Sequence, residues 1–97
     1  MQHASPGDSI TLEVDEEFTV GLMSSPGTGH RWRLEGTTPL VSGRMVGLQL
    51  HKRCCGLATE VWKFTAWRQG SVALRFVYGR PWEEEVMDRA GVVVRII

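Results

Sequence analysis

Apolar and polar residues alternate with a period of two along most of this chain. Ile10, Leu12 and Val14 fall on one side of an extended segment, Thr11 and Glu13 on the other. The pattern repeats at Phe18, Val20 and Leu22, then at Trp32 and Leu34 between Arg31, Arg33 and Glu35, and at Val46, Leu48 and Leu50. It returns at Trp62, Phe64 and Ala66 against Val61, Lys63 and Thr65, runs longest at Val72, Leu74, Phe76 and Tyr78, and closes at Val92, Val94 and Ile96. Period two is the signature of a strand with one buried face. Turn-forming residues separate the runs at 5–7, 15–17, 24–29, 36–39, 51–56, 68–70 and 79–81. Pro81 and Gly91 leave room for no more than a helical turn between Trp82 and Arg89. About seven half-buried strands in a chain of this length predict an all-β fold, an immunoglobulin-like β-sandwich. No linker, repeat or low-complexity segment divides the chain, so residues 1–97 are expected to form a single domain. The Cys–Trp–Cys pattern of antibody domains is absent.

Composition narrows the function classes. The chain is 42% hydrophobic and 23% charged, enough to build one core and too apolar for a disordered segment. Lys plus Arg equals Asp plus Glu at 11 each, so no basic field exists to attract nucleic acid or a membrane surface, and neither partner is expected. No apolar run is long enough to span a bilayer. The first nine residues lack the apolar centre of a secretory signal, which suits a cytoplasmic protein, or a periplasmic or secreted one in mature form. Cys54 and Cys55 are adjacent; a bridge between them would be strained and would close almost no loop. The core must therefore carry the fold.

In an up-and-down sandwich the connections after the second, fourth and sixth strands share one end. Here they span 24–29, 51–58 and 79–88, the three longest and least ordinary in composition. Loops on a rigid scaffold are where binding usually resides. In the first, Pro26 fixes one backbone angle while Gly27 and Gly29 permit unusual ones, so it either projects a backbone edge or simply joins two strands. The second is basic and leads into Trp62 and Phe64, whose alternation marks them as core. His51, Cys54, Cys55 and His30 match no zinc spacing, and no metal or other cofactor is expected. In the third, Pro81 stiffens the backbone beside Arg80 and Trp82, the residue types most enriched in binding hot spots. Trp82 either projects as an anchor or folds back as a lid over the end of the sandwich. Catalysis is not expected: no strand–elbow–helix context positions a nucleophile, and Glu83, Glu84 and Glu85 read as a solvated run.

Taken in order, the three loops resemble those of the chagasin family of cysteine peptidase inhibitors. The family's first loop reads Asn-Pro-Thr-Thr-Gly followed by Tyr or Phe, with a Trp two residues on. This chain has Ser25, Pro26, Gly27, Thr28, Gly29 and His30, then Trp32, matching at Pro26, Thr28, Gly29 and Trp32. The family's Gly-x-Gly-Gly loop before Trp-x-Phe is represented by Gly56 and by Trp62 and Phe64. Arg-Pro-Trp with a following Glu is intact at Arg80, Pro81, Trp82 and Glu83. The resemblance implies a reversible, tight-binding inhibitor, a monomer whose partner is a papain-family cysteine peptidase. It implies contacts from Ser25 to His30, from Cys55, Gly56, Leu57 and Ala58, and from Arg80, Pro81 and Trp82. The alternative is an immunoglobulin-like binding or adhesion module that kept the scaffold without inhibitory activity, suggested by Ser25, Gly27 and His30.

Overall fold

The computed structural model describes residues 1–36, 38–51 and 56–97. Eight strands follow one another among them: β1 (Gln2–Ala4), β2 (Ser9–Leu12), β3 (Glu17–Ser24), β4 (Arg31–Glu35), β5 (Val41–Leu50), β6 (Ala58–Ala66), β7 (Gly70–Gly79) and β8 (Asp88–Ile96). A single 3-10 turn at Pro26–Thr28 is the one helical element described. Two four-stranded sheets result, ordered β1-β3-β6-β5 and β2-β8-β7-β4. All pairings are antiparallel except β1 with β3 and β2 with β8.

The alternating residues meet between the sheets. Phe18, Val20, Leu22, Trp62, Phe64 and Ala66 from one sheet and Leu74, Phe76, Val92, Val94 and Ile96 from the other are buried in one cluster. Phe64 is central. Its ring stacks on Phe18 at 5.2 Å and on Trp62 at 6.2 Å, and meets Phe76 edge-on across the sandwich at 6.1 Å. Gly43, paired with Phe64, lies so close to that ring and to the Lys63 carbonyl that a Cβ there has no space.

The all-β sandwich of about seven strands is found, with eight strands among the described residues: β1, too short to show a period, pairs in parallel with β3 from Gln2 to Ala4. The structure corrects the sequence reading at two places. Val14 leaves the face of Ile10 and Leu12: β2 ends at Leu12, the chain turns at Asp15 with φ 74°, and Val14 is exposed. Val46, Leu48 and Leu50 do not form one half-buried set. A bulge between Met45 and Gly47 breaks the alternation at Val46, and all three side chains are exposed. Among the described residues from 82 to 89 no helical turn forms, and β8 begins at Asp88.

The inter-sheet aromatic contact sets a stability expectation. Phe64→Ala is expected to cost about 3–5 kcal/mol, whereas Val46→Ala stays within about 0.5 kcal/mol of the parent. Urea denaturation of the two variants side by side tests this; equal midpoints would show that Phe64 does not hold the sheets.

Candidate functional site

The strand registers bring the three loops to one end. In one sheet, Ala58 at the head of β6 pairs with Ser24 at the end of β3 and with Leu50 at the end of β5. In the other, Arg31 at the head of β4 pairs with Gly79 at the end of β7, and Tyr78 pairs with Asp88 at the head of β8. The 25–30 loop crosses from sheet to sheet, so it lies between the other two.

That central loop is closed by its own backbone. Thr28 N donates to Ser25 O at 3.1 Å and Gly29 N to Pro26 O at 3.2 Å, while Gly29 adopts φ 81°. A left-handed residue is costly with any side chain but glycine's. Thr28 Oγ1 donates to Ser25 O at 2.8 Å and lies 2.7 Å from His30 Nδ1. Beneath the loop, His30 stacks on Tyr78 at 5.4 Å, and Tyr78 packs on Trp32 at 4.9 Å. The imidazole thus fills an aromatic position in a three-ring layer. Tyr78 Oη accepts from Ser25 N at 2.9 Å, and Trp32 Nε1 donates to Met23 O at 2.9 Å, tying that layer to the loop above it.

The third loop leans on the first. Arg80 Nε donates to Thr28 O at 3.1 Å, and its Nη1 pairs with Glu83 Oε1 at 3.2 Å. Glu83 N donates back to Arg80 O, closing a turn with Pro81 and Trp82 at its corner. Trp82 is 72% exposed, so it projects rather than forming a lid. Its ring edge borders Gly29, where a Cβ would stand 3.1 Å from Cη2. Glycine at 29 is favoured by the backbone angle, and a side chain there would also push the indole aside by a few tenths of an ångström.

The second loop is held at its base. His51 N donates to Leu57 O at 3.1 Å, and His51 Nε2 lies 2.8 Å from Thr59 Oγ1. Gly56 is left-handed, Leu57 half-buried and Ala58 fully buried. Cys55, named with these residues as a candidate contact, lies outside the described residues, as does Cys54. Among the described residues no group of three or more His, Cys, Asp or Glu side chains converges.

One residue behind the site escaped the sequence reading. Glu60 is buried on the inner face of β6, and its Oε2 accepts from Trp32 N at 3.3 Å, linking the two sheets under the loops. Burial pushes its carboxyl above the usual range, opposed by the Trp32 N–H, by Trp62 and by the Arg31 charge. Among the described residues Ser24 Oγ and Trp62 Nε1 are also buried without a partner at hydrogen-bond geometry, so Trp62 acts on Glu60 only as a nearby dipole. The signal was present: Glu60 is in phase with Trp62 and Phe64, a carboxylate on the core side of an apolar series.

A family model, that of the chagasin family peptidase inhibitors, matches residues 11–96. The chain belongs to the chagasin family of peptidase inhibitors. This is a family of inhibitors and not of enzymes, and membership favours inhibition over a binding module that lost it. Solved structures share the fold of this chagasin-family chain. The cysteine protease inhibitor EhICP2 from Entamoeba histolytica superposes with TM-score 0.84 at 17% identity, over 99% of this chain and 95% of that one. The solution structure of Amebosin gives TM-score 0.79 at 18% identity, over 99% and 97%. PbICP-C, solved in complex with falcipain-2, gives 0.62 at 14% identity, over 98% and 89%. No curated protein matches the sequence.

The pH dependence follows from Glu60. Its raised pKa means the folded state binds a proton that the unfolded state has released, so stability falls as pH rises from the ordinary carboxylate range through the raised value. Glu60→Gln keeps an acceptor for Trp32 N without a charge to desolvate. The variant is expected to be at least as stable as the parent at neutral pH, with its advantage shrinking toward pH 4. Thermal melts across that range test it; a parent that loses stability on acidification relative to the variant would reverse the sign.

Proposed function

We propose that this protein is a reversible, tight-binding inhibitor of papain-like cysteine peptidases, entering the active-site cleft with the 25–30, 51–58 and 80–82 loops as one wedge. The observation that carries the reading is the brace from Arg80 to the Thr28 carbonyl, which joins the central loop to the loop presenting the exposed Trp82. The similar inhibitor PbICP-C is solved with falcipain-2 bound, which supports a peptidase as partner.

In this reading, Ser25 to His30 cover the peptidase's thiol, with Thr28 nearest the reacting centre. Trp82 lies on the primed side against an apolar surface of the peptidase, with Arg80 and Pro81 fixing its approach. Cys55, Gly56 and Leu57 press on the non-primed side, seated by Ala58. Binding costs little ordering, because the central loop is already closed by Thr28, Gly29, His30 and Tyr78. The same closure resists cleavage: a turn held at both ends does not open into the extended strand that a peptidase requires.

Residual activity of a panel of papain-like peptidases, titrated with the folded protein at neutral pH, tests the proposal. A falling activity with an inhibition constant in the nanomolar range is expected, and full activity at micromolar protein would overturn it. Trp82→Ala is expected to weaken inhibition at least tenfold, in keeping with about 2 kcal/mol for a buried indole anchor, without changing the melting temperature. An unchanged inhibition constant would remove Trp82 from the site. Gly29→Ala, which crowds the same indole, is expected to weaken inhibition as well.

A further inference from the structure

β5 is the outer strand of its sheet. β6 pairs with one side of it, and no described strand pairs with the other. Along this ten-residue strand alternate residues turn their N–H and C=O to β6, and the residues between them turn theirs to the open edge, a template for another strand. Apart from the bulge, the usual protections are sparse. Val41–Leu50 contains no Pro, Lys or acidic residue, and Arg44 is its one charge. Apolar side chains occupy it instead. Register sets Met45 beside Trp62, Leu48 beside Glu60 and Leu50 beside Ala58, all inward-facing on β6, so these three lie on the inner face of the sheet. They stay 38%, 45% and 70% exposed, because the other sheet does not cover them; its edge strand β4 has five residues against ten in β5.

We propose that β5 pairs antiparallel with β5 of a second copy, joining two sandwiches edge to edge in a two-fold dimer, in place of the monomer expected from the sequence. The bulge argues for this occupant over any other strand. It reverses the in–out alternation halfway along β5, so Gly43 and Met45 are inner on one side of it and Leu48 and Leu50 are inner on the other. A two-fold axis through the bulge sets Met45 against Leu48 of the second copy, and Leu50 against Gly43, inner face against inner face throughout. On the outer face Arg44 meets Gln49, and no like charges oppose. The most exposed of the three apolar side chains therefore lands where the partner position has no side chain to displace it. A strand from another protein fits this edge only if it carries the same reversal at the same place. Antiparallel pairing also sends the two sets of loops to opposite ends, since β5 runs toward the 51–58 loop in each copy. Both wedges remain free.

Sedimentation velocity on a dilution series from micromolar to millimolar, for the parent and Leu48→Lys, tests the dimer. The parent is expected to move from one to two chain masses as concentration rises. Leu48→Lys is expected to weaken association at least tenfold while keeping the parent's circular dichroism and inhibition. Should Leu48→Lys fail to fold, Leu50→Lys at the more exposed position replaces it. Amide hydrogen exchange gives the second readout: β5 amides are expected to slow with protein concentration in the parent. A parent that stays monomeric, with β5 exchange independent of concentration, overturns the proposal. If Leu48→Lys then weakens inhibition, the strip belongs to the peptidase contact instead. A dimer that survives both lysine substitutions unchanged overturns the edge pairing.

Discussion

The contact of Phe64 with Phe76 is the one on which the rest of the architecture depends. β6 and β7 are central strands of opposite sheets, and these two rings meet edge-on where the sheets face each other. Phe18 and Trp62 stack on Phe64 from its own sheet, and Trp62 meets Phe76 edge-on at 5.4 Å. Four aromatic side chains thus fix the spacing of the sandwich and the relative position of its strands. Because β6 pairs with both β3 and β5, its register decides where the first and second loops emerge. β7 does the same for the third through β4 and β8.

Above that core the site is a second, smaller construction. Its floor is the layer of His30, Tyr78 and Trp32, and its ties are polar: Tyr78 to Ser25, Trp32 to Met23, Arg80 to Thr28. None of these bonds is individually strong, since each replaces a bond to water. Together they hold a short turn in one shape before any partner arrives. Glu60 is the cost within this arrangement, a buried carboxyl whose hydrogen bond to Trp32 only partly offsets its lost hydration. Its position links the sheets just below the loops.

The core was legible because period two maps directly onto a face. Phe18, Val20 and Leu22, Trp62, Phe64 and Ala66, and Val92, Val94 and Ile96 all lie inward as the alternation predicts. β5 was not legible. Val46, Leu48 and Leu50 alternate as faithfully as any other set, yet a bulge interrupts them and the facing sheet stops short. Alternation records which residues share a face, not whether anything covers that face. Of the loop residues, Arg80, Pro81 and Trp82 were recognisable by type, and His30 stood where the family has an aromatic; that its partner in the stack is Tyr78 was set by the packing.

Local chemistry, then, was determined by the sequence alone: the strands, the turns between them, the core faces, and three loops of distinctive composition whose order carries the family resemblance. Tertiary structure decided how those pieces meet. Arg80 reaches Thr28 across 52 positions of chain, and the Trp82 ring borders Gly29 from a different loop. Glu60 became a linking group only when β4 was laid against it. Such contacts depend on strand register and sheet order, which are global properties of the packed core. A period of two is shared by every strand and so cannot specify which strand lies beside which.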